Sequence, residues 1–311
     1  MQLRTFLILF SLSISFFSCG KDDSQKQGSI PQWNSLPEFP GTGRQNAVTF
    51  SIGTKGYLGM GNGDLSAVYN DMWEYDSDNK TWLRKADFPG TERSAPTSFK
   101  IDDKGYVVNG SCSCNDFWQY DPSQNVWSKK ADFPVSGLYY TAAFVLNGKA
   151  YVGTGIKDGV LQNGFWEYDP SFDKWTKKAD FPGPAMDVAV SFSIEGQGYF
   201  ATGNQAVGTS KALWRYNPIS DTWTRKADFP YETYGSVGFS INNKGYIGLG
   251  HAASEFWEYD PSVDSWGKSA DFKGGSRTGA KAYVINNKAY VVFGTTSWTV
   301  YPKDVWEFKS N

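Results

Sequence analysis

The chain has 311 residues, a formal net charge of -2, 17% aromatic residues and 33 glycines. A charge this close to neutral carries no electrostatic footprint for nucleic acid or an anionic membrane surface, so no nucleic-acid partner is expected. Beyond the first residues no stretch is apolar for long enough to span a bilayer, and the glycine and aromatic content points to many short strands joined by tight turns.

The N-terminus reads as a targeting segment. Arg4 supplies a positive start and Phe6 to Phe17 an apolar run too short to cross a membrane. Phe16-Phe17-Ser18-Cys19 resembles a bacterial lipobox, with Phe16 where Leu is usual. Residues 1–18 are therefore expected to be a lipoprotein signal peptide, and Cys19 the lipidated residue. Residues 19–30 read as a flexible tether. Gly20-Lys21-Asp22-Asp23-Ser24 resembles the export signal of surface lipoproteins in one group of Gram-negative bacteria. The expected location is the outer membrane, at the cell surface, with membrane contact through the lipid alone.

From residue 31 onward the chain repeats itself. Phe165-Trp166-Glu167-Tyr168-Asp169-Pro170 recurs as Phe256-Trp257-Glu258-Tyr259-Asp260-Pro261, with variants around Trp73, Trp118, Trp214 and Trp306. A second tryptophan (Trp82, Trp127, Trp175, Trp223, Trp266) follows each of the first five, and a phenylalanine stands six residues further on. Tyr57, Tyr106, Tyr151, Tyr199, Tyr246 and Tyr290 each precede a glycine by four residues and follow an apolar anchor (Ile52, Ile101, Leu146, Ile194, Ile241, Ile285) by five. Turn sequences such as Asn147-Gly148 lie between anchor and tyrosine, which is a hairpin signal. Each unit thus reads as four strands, a to d, and a four-stranded period of this length is a propeller blade.

These residues resemble the kelch family, which includes the galactose oxidase propeller. The usual glycine pair ending strand b is reduced here to one glycine, preceded by Met60, Asn109, Thr154, Thr202, Leu249 or Phe293. The resemblance covers residues 31–311 and implies an all-β, six-bladed propeller. The sixth tryptophan unit, Trp306-Glu307-Phe308, has no strand d after it, whereas Trp33 to Phe39 is a strand d without a blade. The N-terminal strand is therefore expected to complete the last blade and cover its open edge.

In this topology strand a lines a central channel. The a–b and c–d turns share one face, and the b–c and d–a loops share the other. The b–c loops vary in length, and variable loops on a rigid scaffold are where function concentrates. Subtracting the repeat leaves off-pattern residues on that face: Trp298, Tyr139, Tyr140, Tyr234 and the lone histidine, His251. Eight positions before the strand-a anchor stand Arg44, Arg93 and Arg277, in blades that become neighbours once the ring closes. Their guanidinium groups are expected to converge on a carboxylate, with Tyr139, Asp187 and Tyr234 across the channel mouth; local pairing with an acid such as Glu92 is the alternative.

One histidine excludes the copper site of galactose oxidase, and no zinc spacing or phosphate loop occurs, so neither metal nor cofactor is expected. Cys112 and Cys114 flank Ser113, and an exported setting permits a disulfide between them. The expected function is non-catalytic capture of a glycan or protein ligand on the b–c/d–a face. The six-bladed N-acetylneuraminate epimerases supply an enzymatic alternative by fold-level analogy, with His251 or Asp187 as acid or base, and a protein-interaction scaffold is a third reading.

Overall fold

The computed structural model describes residues 31–251, 253–297 and 299–310. Six sheets of four antiparallel strands each follow one pattern. In blade 1 the strands are Val48–Ile52 (a), Lys55–Gly59 (b), Met72–Asp76 (c) and Thr81–Lys85 (d). The other a strands are Thr97–Ile101, Ala142–Leu146, Val190–Ile194, Val237–Ile241 and Lys281–Ile285. Blade 6 closes as expected: Gln32–Leu36 pairs antiparallel with Val305–Lys309, placing Trp33 opposite Phe308.

The repeat residues explain themselves by what they touch. The strand-a aromatic ring stacks on the strand-b tyrosine in every blade, with interplanar angles from 7° to 28°. Those phenols are buried, and Tyr57, Tyr151, Tyr246 and Tyr290 each donate to the glutamate of their own strand c. The strand-d tryptophans tie blades together: the indole Nε1 of Trp127, Trp175, Trp223 and Trp266 donates to the carbonyl of the alanine just past strand d of the preceding blade. In return Asn125, Asp173, Asp221 and Asp264 accept from that alanine's N–H. Blade 1 departs where it must. The strand before it is followed by Pro37, which has no N–H to donate, and Lys80 stands where the others carry an acceptor.

Two rings of backbone hydrogen bonds run around the b–c/d–a face, the outer one lacking, among the described residues, a bond from Gly61 to blade 2. The glycine two residues past strand b donates to a d–a carbonyl of the next blade: Gly110 to Leu138, Gly155 to Met186, Gly203 to Thr233, Gly250 to Arg277 and, across the closure, Gly294 to Arg44. These glycines are all left-handed, as are the residues before them, Met60, Asn109, Thr154, Thr202, Leu249 and Phe293. A glycine pair suits this spot because both positions require positive φ. Nearer the axis, Asn46, Ala95, Tyr140, Val188, Gly235 and Gly279 form a second left-handed ring. Asn46 N–H donates to Gly279, Ala95 to Asn46, Tyr140 to Ala95, Val188 to Tyr140, and Gly279 to Gly235. Among the described residues no corresponding bond joins Gly235 to Val188, so this inner ring is open between blades 4 and 5.

Candidate functional site

The inner ring frames a cavity of about 560 Å³ at the channel mouth on the b–c/d–a face. Its wall is built from d–a residues (Gln45, Asn46, Tyr140, Asp187, Val188, Tyr234, Arg277) and b–c residues (Asn204, His251, Thr295, Thr296, Ser297). Four anticipated residues, Tyr140, Asp187, Tyr234 and His251, meet here together with one of the three arginines.

Asp187 is held by a short strand of its own. Met186–Asp187 pairs with Asn204–Gln205 of the b–c loop, Asp187 directly opposite Asn204. The residue is 6% exposed, and its Oδ1 has no hydrogen-bond partner. Burial raises its pKa above the ordinary aspartate value, against a hydrogen bond from Asn204 that works the other way. The next residue, Val188, has φ 48°. A β-branched residue in the left-handed region is strained by roughly 1–3 kcal/mol, so the surroundings of Asp187 are bought with backbone energy.

Aromatic surfaces flank this carboxyl. Tyr234 and His251 lie parallel, ring centroids 5.4 Å apart and 14° from coplanar. The His251 N–H donates to the Tyr234 carbonyl, which fixes one loop on the other. Tyr140 accepts from Asn46 Nδ2 at 3.4 Å, and burial followed by the charge of Asp187 pushes its phenol upward. Tyr139 packs on Tyr140 at 5.3 Å and is not part of the cavity wall.

The arginines do not converge, which corrects the sequence expectation. Arg44, Arg93 and Arg277 are 0%, 0% and 2% exposed. Each forks onto an aspartate of its own blade: Arg44 onto Asp71, Arg93 onto Asp116 at 2.6 and 2.9 Å, and Arg277 onto Asp304 at 2.6 and 3.0 Å. Each also donates to the carbonyl of the left-handed residue just after strand b, namely Met60, Asn109 and Phe293, and stacks on the phenylalanine of the preceding strand-d unit. Burial pushes the Asp71 and Asp116 carboxyls up, but the guanidinium groups outweigh it and hold both below the usual range, aided by Trp73 and Trp118. Only Arg277 reaches the cavity wall, with its fork already engaged. The partner is not Glu92 but the aspartate two residues before the strand-c tryptophan. The signal was present in the sequence: blades 3 to 5 carry Leu138 with Gly164, Met186 with Ala212 and Thr233 with Glu255 at these two positions. Aspartate appears only where arginine does.

Cys112 and Cys114 are joined in a disulfide, Cα atoms 5.1 Å apart. Their sulfurs lie with an Asp116 oxygen within 4.8 Å of one another, but the disulfide and the Arg93 fork occupy those atoms. Trp298 and Cys19 fall outside the described residues, though Ser297 lines the cavity. Sequence reasoning passed over Asn46, Asn204 and the threonines of the last b–c loop.

The fold and this cavity define the class: a six-bladed antiparallel β-propeller with a polar, aromatic-flanked mouth. Among solved structures it is similar to one described as the structure of YjhT, with a TM-score of 0.75 over 88% of this chain and 95% of that one at 19% identity, a likeness of fold. No family model matches the chain, and no curated protein does.

Proposed function

We propose that this protein is a lipid-anchored propeller of the kelch type that captures a glycan in the mouth cavity without transforming it. One observation carries the reading: a buried carboxylate oxygen without a partner, on Asp187, beside the stacked rings of Tyr234 and His251. Sugars present hydroxyl donors to carboxylates and C–H faces to aromatic rings, so this pairing of groups suits them. The repeat residues support the kelch assignment. The lipobox-like run at Cys19 supports the anchor and an outer-membrane, surface-exposed location.

Calorimetry against a glycan panel tests the ligand. Asp187→Asn and Tyr234→Ala should each weaken binding by roughly thirtyfold, the loss of a hot-spot contact of about 2 kcal/mol. Lys104→Ala, on the opposite face, should leave it intact. Equal losses from all three would refute the site. For the anchor, Cys19→Ala should move the protein out of the membrane fraction, and unchanged fractionation refutes lipidation there.

The raised pKa of Asp187 favours a second reading, acid–base opening of a sugar ring in the manner of a mutarotase or epimerase. Anomer interconversion followed by NMR separates the two, since a capture protein leaves the rate unchanged.

A further inference from the structure

The mouth cavity does not end at the inner ring. A neck of about 60 Å³ shares Asn46, Tyr140 and Val188 with the mouth, and Thr141, Ser236 and Lys281 with a channel of about 640 Å³ between the a strands. The three form one path along the propeller axis.

Lys281 stands in that neck against the grain of the repeat. Its counterparts opening the other a strands are Val48, Thr97, Ala142, Val190 and Val237, all buried between blades. The Lys281 amine has no hydrogen bond and no ion pair to any described residue. The flanking a strands, Val48–Ile52 and Val237–Ile241, carry no charged residue. On the adjoining b strands Lys288 is paired with Glu307 and Lys55 with Asp76. Tyr57, Tyr283 and Tyr290 nearby are phenols pushed upward by burial, hence neutral. Lys100 and Asp102 line the channel with it. Burial alone pulls the Lys281 amine down to about 8, which still leaves most of it charged at neutral pH. An uncompensated cation in a confined site lined by hydroxyl groups attracts a counter-charge.

We propose that Lys281 makes the neck a binding site for a small anion of carboxylate size, entering free or as the acid group of a ligand seated in the mouth. The neck admits a few water-sized groups and not a sugar ring. The second route rests on the glycan reading; the first does not.

The test follows the full-length protein with 15N-labelled lysine side chains by NMR, the Lys281 signal being the one absent from Lys281→Val. Valine occupies this position in three other blades, so that variant keeps the fold. Acetate added at constant ionic strength should shift the Lys281 signal selectively and raise its titration midpoint by about one unit, equivalent to roughly fivefold tighter binding at pH 7 than at pH 9. Glucuronate producing the shift where acetate and glucose do not assigns the anion to a mouth ligand, and supports the proposal. If neither acetate nor glucuronate moves the signal, or every lysine responds alike, the proposal is overturned. Should Asp187→Asn and Tyr234→Ala leave sugar binding untouched while acetate still shifts Lys281, the glycan reading fails and the anion site stands.

Discussion

Blade 2 offers a way to test whether the arginine forks are structural. Arg93 is fully buried and faces one counter-charge, Asp116, whose side chain is 17% exposed. Asp116→Gly removes that counter-charge and leaves the guanidinium with the Thr91 and Asn109 carbonyls alone. Breaking a buried pair from one side costs about 3–5 kcal/mol. Arg93→Leu leaves a carboxylate that keeps the Trp118 Nε1 donor and some water, so its cost is smaller, about 2–3 kcal/mol. Blade 3 already shows the apolar solution: Leu138 is buried, and the Trp166 ring lies over Gly164, where a Cβ would meet it at 2.1 Å. The double variant Arg93→Leu/Asp116→Gly reproduces that pair and should fall within about 1 kcal/mol of the parent, a coupling of about 4–7 kcal/mol. Urea unfolding of the four proteins, read as midpoint at constant slope, gives the cycle. A double variant as unstable as the two single losses summed would show that the pair is not the unit, and would reopen a ligand role for these arginines.

Three further outcomes are expected. Lys281→Met should raise stability at pH 7 by about 2–3 kcal/mol in buffers free of carboxylate and phosphate, since a folded-state value of about 8 lies below the unfolded ~10.4. The unfolded chain holds that proton more tightly, so parent stability climbs from pH 8 to 10.4 and the advantage fades there; a pH-independent difference contradicts the assignment. Val188→Asn, copying Asn46 at the same ring position, should stabilise by roughly 1 kcal/mol through relief of left-handed strain, and a lower melting temperature counts against it. Deleting residues 20–41 removes Trp33 and Phe39, each worth roughly 1.5–3 kcal/mol when buried, together with the strand paired to Val305–Lys309. That variant should melt far below the parent while deletion of 20–28 has no effect; equal melting of the two deletions contradicts ring closure by this strand.

The blades were legible because their determinants are local and repeated. Trp, Tyr, Phe and Gly recur at fixed spacing since each blade solves the same packing problem, and six copies average out any single substitution. Even the ring closure could be read, because an unmatched strand d at one end and a missing one at the other leave a single assignment. Part of the site was also visible. Tyr140, Asp187, Tyr234 and His251 break the pattern on one face, and the structure gathers them around one cavity.

The arginines show where a one-dimensional reading stops. Their spacing in neighbouring blades implied convergence, but a guanidinium reaches several ångströms and its direction is set by what it meets. Each meets an aspartate 23 to 27 residues away, just ahead of its own strand c, before it can reach the axis. Lys281 is the converse case. In sequence it is one lysine among many at the start of a strand. Only the ring of a strands, which brings the flanking blades against it and supplies no carboxylate, turns it into a half-buried charge without an ion-pair partner. Residue type and period are properties of the chain, and they determined the propeller. Burial and charge pairing are properties of the space between segments remote in sequence, and that space exists only once the ring has closed.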